Sequence, residues 1–76
     1  MDRLLEFLAR SLVDNPDGVS VEASEDEDVL VLELRVAGDD AGQLIGRRGR
    51  TISALRTVMR AAGAAQDRRV LVDLVD

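Results

Sequence analysis

The stretch LIGRRGRTI, residues 44–52, is the most informative part of this 76-residue chain. Two glycines bracket two arginines, an apolar pair precedes them, and a third arginine follows where a helical pattern begins. Because glycine has no Cβ, a sugar-phosphate chain can lie close to the main chain at Gly46 and Gly49. We therefore interpret residues 46–49 as a loop between two helices that holds a nucleic-acid backbone.

The arginines of this stretch strengthen that interpretation. Arg47, Arg48 and Arg50 each offer a planar fork of donors that matches phosphate oxygens. The helix that begins near Arg50 adds unsatisfied N–H groups and partial positive charge at its N-terminus. A GxxG pair alone is weak evidence, because a chain with 6 glycines often contains one by chance. The alternative is a flexible turn between two helices.

Charge is distributed unevenly along the chain, whose net charge is −5. Residues 1–40 hold twelve carboxylates and three arginines, whereas residues 41–76 hold seven arginines and three carboxylates. Residues 41–66 contain no acidic residue. A local basic patch, rather than the overall charge, determines whether a polyanion can bind. The alternative is a solvated helix face that is simply basic.

Composition excludes several kinds of site. The chain has no cysteine, histidine, lysine, tyrosine or tryptophan, so it lacks thiolate metal ligands and a P-loop lysine. We predict that it is not an enzyme and has no catalytic residue, metal, cofactor or small-molecule substrate. The acidic run at 25–28 favours a wet loop over a cation site, since EF-hand spacing is absent. No apolar run could span a membrane, and we expect a cytoplasmic protein.

Hydrophobic periodicity divides the chain into six elements. We predict helices at 2–13, 40–45 and 50–62, and strands at 19–24, 29–36 and 70–75. Phe7 is expected to fill the core, and Asp39 or Asp40 to cap the second helix. Val58 is expected on the inner face of the third helix, and Gly63 at its C-cap.

The order α-β-β-α-α-β predicts an α+β fold in which three helices cover one face of a three-stranded mixed sheet. The first two strands would form a hairpin. The last two are joined through both later helices, which suits a crossover to a parallel neighbour.

Residues 40–56, DAGQLIGRRGRTISALR, resemble the GXXG signature and flanks of KH domains, and the element order resembles the type II, prokaryotic arrangement. The chain is similar over essentially its whole length to the small stand-alone bacterial KH proteins of the KhpA family. The resemblance implies a single KH domain over residues 1–76. It also implies that about four nucleotides of single-stranded RNA are clamped against the GXXG loop.

The resemblance also implies roles for individual residues. Those carried over to the RNA site are Gly46, Arg47, Arg48 and Gly49 for the backbone, Arg50 as an assisting group, and Leu44 and Ile45 as an apolar wall for bases. Ile45 and Ile52 fit a core role equally well. Only the charge pattern supports RNA contacts by Arg56 and Arg60, and a solvated face explains them equally well.

The resemblance also implies protein partners and a cellular pathway. These are a homodimer, a heterodimer with a larger KhpB-like KH protein, and a role as RNA chaperone or post-transcriptional regulator in cell elongation and division, including cell shape and cell-wall biogenesis. The candidate surfaces are the helix at 50–62 and an open sheet face with Val29, Val31, Leu71 and Val75. The alternative function is a protein-interaction adaptor that acts mainly through dimerisation.

Overall fold

The computed structural model describes residues 1–46 and 50–75. Its helices are α1 (Asp2–Leu12), α2 (Gly38–Ile45) and α3 (Arg50–Ala64), and its strands are β1 (Ser20–Asp26), β2 (Val29–Arg35) and β3 (Arg69–Val75). A short 3₁₀ turn, Pro16–Gly18, joins α1 to β1. The predicted element order is therefore confirmed.

The sheet has the order β1-β2-β3, with β2 in the centre. β1 pairs antiparallel with β2, with Val21 opposite Leu34. β3 runs parallel to β2, with Val72 opposite Leu32. The sheet is therefore mixed, and its parallel pair is connected through α2 and α3.

One face of the sheet forms the core with the helices. Strand alternation places Leu32 and Leu34 of β2 beside Val70 and Val72 of β3 on this face, and all four are buried. The helices complete the core with Leu5, Ala9, Leu44, Ile52, Leu55 and Met59. α1 packs on β1 and α3 packs on β3. This two-layer α+β arrangement is the type II KH fold.

Only the second half of the acidic run at 25–28 forms the predicted loop. Glu25 and Asp26 belong to β1, where they pair with Leu30 and Val29. The turn is Glu27 and Asp28, both in the left-handed region with φ of 46° and 69°. Two consecutive positive φ values match the twist of a tight hairpin, so the strands continue to the turn despite their charge.

Phe7 does not fill the core, and that prediction was wrong. Its side chain is 66% exposed, whereas Leu5 and Ala9 are fully buried. Phe7 lies two residues from each of them, about 200° around the helix, and therefore faces outward. The small Ala9 lets α1 lie close to the sheet.

The predicted cap of α2 is also wrong. The helix begins at Gly38, after Ala37, and has no side-chain cap. Asp40 is 1% exposed and accepts hydrogen bonds from the backbone N–H of Asn15 at 3.0 Å and from Asn15 Nδ2 at 3.3 Å. Its carboxylate therefore ties the end of α1 to the start of α2.

Gly63 lies inside α3 rather than at its C-cap. Its carbonyl oxygen accepts the N–H groups of Gln66 at 2.9 Å and Arg68 at 2.8 Å. A Cβ at this position would lie 2.5 Å from Val70 Cγ2 and 2.8 Å from the Arg68 carbonyl oxygen. Glycine is needed here because β3 turns back tightly against the helix that precedes it.

Candidate nucleic-acid interface

Gly46 ends α2 in a conformation that favours glycine. Its φ is 55°, and its N–H donates to the carbonyl oxygen of Gly42 at 2.8 Å. A Cβ here would lie 3.1 Å from both the Gln43 carbonyl oxygen and Thr51 Oγ1. Side chains other than glycine are strained in this left-handed region, so both backbone geometry and space favour glycine.

Arg47, Arg48 and Gly49, which the sequence places at the centre of the site, lie outside the described residues. The described chain resumes at Arg50, the exposed first residue of α3. Thr51, in the first turn of α3, brings its hydroxyl beside Gly46. Its position directly after Arg50 was the only sequence signal for this contact, and the sequence interpretation missed it.

The apolar residues before Gly46 have different surroundings. Leu44 is fully buried in the core, so its side chain is not part of a surface wall. Ile45, the next residue, is 47% exposed. Ile52 is 5% exposed, which agrees with the core alternative for this residue. Of these three side chains, only that of Ile45 is open to solvent.

Arg56 and Arg60 lie on the flank of α3 that faces β3. Arg56 is half-buried, and its Nε donates to the Val72 carbonyl oxygen at 3.2 Å. Arg60 is exposed, with Nη2 3.5 Å from Thr57 Oγ1. Together with Val70, Leu71 and Val72 they line a small cavity of about 50 Å³. Arg56 thus binds the outer edge of the sheet, while Arg60 presents its charge to solvent.

The opposite flank of α3 borders an apolar groove of about 400 Å³ between α1 and α3. The groove is lined by Leu8, Leu12, Arg50, Thr51, Ala54, Leu55 and Val58. Val58 is 45% exposed and Leu12 is 48% exposed, so the prediction that Val58 faces the core was wrong. The 400 Å³ groove depends on how α1 lies beside α3, which sequence periodicity does not specify.

The carboxylates at the hairpin turn lie beside the residues that lead into β3. Arg68 Nη2 donates to Glu25 Oε1 at 2.6 Å. Within residues 1–46 and 50–75, no group of three acidic side chains is arranged to hold a metal ion. In the same part of the chain, no helix has the length and apolarity to cross a membrane.

Comparison with known proteins identifies the family. The model of the "KhpA/KhpB, KH domain" family matches residues 2–74. The "RNA-binding protein KhpA" of Halalkalibacterium halodurans is 47% identical over 76 residues, covering 100% of both chains. The protein of the same name from Clostridium acetobutylicum is 45% identical over 75 residues, covering 99% of this chain and 100% of that protein. That of Streptomyces coelicolor is 50% identical over 76 residues, covering 100% of this chain and 92% of that protein. The chain therefore belongs to the KhpA/KhpB family of KH domains.

Proposed function

We propose that this protein is a single KH domain, spanning residues 1–76, that binds single-stranded RNA without catalysing a reaction. The proposal is supported by relatives named as RNA-binding proteins at 45–50% identity over nearly the whole chain. The observation that carries it is Gly46, whose left-handed backbone removes side-chain bulk where α2 gives way to the GRRG segment.

In this proposal the strand is held mainly by its backbone. Gly46 and Gly49 let the sugar-phosphate chain approach the main chain, and Arg47 and Arg48 grip phosphate oxygens. Arg50 adds a third guanidinium at the start of α3, where the helix dipole also favours an anion. Ile45 offers an apolar contact to a base. Few groups here read base edges, so sequence preference is weak.

The salt dependence of binding follows from this contact set. If three phosphates are neutralised, a plot of the logarithm of the association constant against the logarithm of salt concentration should have a slope of about −2 for a single strand. Fluorescence anisotropy with a labelled oligonucleotide at several salt concentrations measures this slope. A single-stranded DNA of the same sequence is the parallel arm, because backbone contacts by arginine do not by themselves distinguish the two sugars.

The decisive variant is Arg47→Asp plus Arg48→Asp. We expect a folded protein, checked by circular dichroism, whose RNA binding is lost at physiological salt. The matched control is Arg3→Asp plus Arg69→Asp, which changes the net charge equally at exposed positions on α1 and β3. If the loop variant binds as tightly as the wild type, or if the control loses binding equally, the backbone-clamp assignment is wrong.

A second function, dimerisation, is favoured by the apolar groove between α1 and α3. Leu12 and Val58 are about half exposed there, and burying such side chains against another subunit is favourable. We propose that this flank of α3 contacts a second copy or a larger KhpB-like KH protein, with the open sheet face as the alternative. The family description, which joins KhpA with KhpB, supports a partner of the second kind.

Sedimentation of the free protein tests this surface. Val58→Asp should convert a dimer to a monomer at micromolar concentration while leaving the circular dichroism spectrum unchanged. Leu71→Asp on the open sheet face is the matched control. A wild-type protein that stays monomeric at high concentration, or a dimer that persists in Val58→Asp, contradicts the groove interface.

The cellular role is proposed from family membership. We propose a cytoplasmic RNA chaperone or post-transcriptional regulator that acts in cell elongation and division. Crosslinking in cells, followed by sequencing of the attached RNA, identifies its targets. Cell length after depletion, with and without rescue by the Arg47→Asp plus Arg48→Asp variant, separates an RNA-dependent role from a purely adaptor role.

A further inference from the structure

The sheet face opposite the helices has a surface pattern that RNA binding does not explain. This open face consists of the outward residues of β1, β2 and β3, all within the described strands. Leu71 is 54% exposed at its edge, and Val29, Val31 and Val75 are half-buried. A sheet face directed only to water is normally polar, so this apolar content needs an explanation.

The strand registers arrange this face in rows. Val31 lies opposite Leu71 on β3 and opposite Ser24 on β1, which makes an apolar row across the two strands β2 and β3. The next row is Glu22, Glu33 and Asp73, in which Glu33 is opposite both other carboxylates. Neighbouring strands are about 4.8 Å apart and successive rows about 6.7 Å, so apolar and acidic rows lie side by side.

Charge on this face disfavours two classes of occupant. The described strands place Glu22, Asp26, Glu33 and Asp73 here against Arg35 and Arg69 at the two ends, and Arg35 Nη2 is 3.9 Å from Glu33 Oε2. A polyanion is repelled by this excess of carboxylates. A second copy would bring two acidic faces together, which is equally unfavourable.

We propose that the open face docks a cationic amphipathic helix of a partner protein. Its apolar stripe would cover the Val31–Leu71 row, and its arginines or lysines would meet the carboxylates of the adjacent row. Three strands of seven residues make a face of about 14 by 23 Å. Because the Val31–Leu71 row crosses the strands, a helix that follows it lies across the width of about 14 Å, which about nine residues span. A helix of about 15 residues covers this width and extends beyond both edges of the sheet. Such a footprint is well below a standard interface, so binding should be weak and reversible.

The probe is a synthetic 15-residue helix with a leucine stripe flanked by lysines, titrated into ¹⁵N-labelled full-length protein. The matched probe carries glutamates in place of the lysines. We expect amide shifts concentrated on β2 and β3, binding by the lysine helix only, and weaker binding as salt increases.

Two variants test the face itself. Leu71→Ser removes an exposed side chain, so the fold should persist while affinity falls about tenfold or more. Glu33→Gln plus Asp73→Asn should also reduce affinity and flatten its salt dependence. Phe7→Ser, which changes an exposed apolar side chain on α1 outside both proposed surfaces, should leave affinity unchanged.

Several results would overturn the proposal. They are equal binding of the glutamate helix, shifts that map to α1 and α3, no effect of Leu71→Ser, and no binding at about 1 mM peptide. Loss of self-association in Leu71→Ser would instead assign the face to a second copy. RNA-induced shifts on β2 and β3 would assign it to nucleic acid. RNA binding by the same variants, measured separately, reports on the GRRG site alone.

Discussion

Gly63→Ala tests whether the close return of β3 against α3 requires glycine. Two effects oppose each other. Alanine gains about 1 kcal/mol of helix propensity over glycine. Its Cβ, however, would lie 2.5 Å from Val70 Cγ2 and 2.8 Å from the Arg68 carbonyl oxygen. Overpacking of this kind costs about 1–3 kcal/mol.

The upper end of that range applies because neither neighbour yields easily. Val70 is buried and β-branched, which restricts its rotamer. The backbone of Arg68 is held by its own N–H, which donates to the Gly63 carbonyl oxygen at 2.8 Å. We therefore expect Gly63→Ala to lower the free energy of unfolding by about 2 kcal/mol. A core this small supplies only about 3–5 kcal/mol, so roughly half of the stability is lost.

Urea unfolding followed by far-ultraviolet circular dichroism measures this change. The matched control is Gly42→Ala, in α2, where a Cβ meets nothing within 4 Å. That variant should raise the free energy of unfolding by about 0.5–1 kcal/mol. In a Val70→Ala background, the cost of Gly63→Ala should fall by about 1 kcal/mol, because the nearest contact is gone. A Gly63→Ala protein as stable as the wild type would refute the steric explanation.

Three further predictions concern the Asp40–Asn15 hydrogen bonds, the glycine that ends α2, and the two arginines on the β3 side of α3. Asp40→Ala removes the buried carboxylate that accepts from the backbone N–H and Nδ2 of Asn15. It should cost about 1–3 kcal/mol in urea unfolding, with Asn15→Ala costing less. Gly46→Ala should cost about 1–2 kcal/mol for its left-handed backbone and should weaken RNA binding in anisotropy titrations. Arg60→Ala should reduce the magnitude of the salt slope by about 0.7 if its guanidinium meets a phosphate. Arg56→Ala should instead lower stability by about 1 kcal/mol with little effect on that slope, since its guanidinium binds the β3 backbone; the opposite pattern would reverse these two assignments.

The order of elements was accessible from sequence because it depends on local periodicity. Alternation in residues 29–36 and 70–75 marked two strands, and the spacing of Ile52, Leu55 and Met59 marked a helix. The parallel pairing of β2 with β3 followed from the length of the connection between them. These signals are properties of one segment at a time, and the structure agrees with them.

Predictions that required the relative placement of elements were the ones that failed. Phe7 lies opposite the inward face of α1, and which face of that helix is inward depends on how it lies on the sheet. Val58 lies near the edge of the inward face of α3, and whether it is covered depends on the neighbouring α1. Asp40 satisfied the pattern of a helix cap but bonds instead to Asn15, a residue 25 positions earlier in the chain. Gly63 looked like a helix terminator, and its reason is the β3 side chain packed against it.

The same division holds for the site. The sequence by itself determined the family, the fold class and the GRRG segment, because glycine spacing and a stretch without carboxylates are linear features. Only the tertiary structure decided that Leu44 is core while Ile45 is surface, that Arg56 binds the sheet edge, and that an apolar groove and an acidic open face lie on different sides. Burial and pairing depend on contacts between segments distant in the chain, and local sequence does not encode those distances.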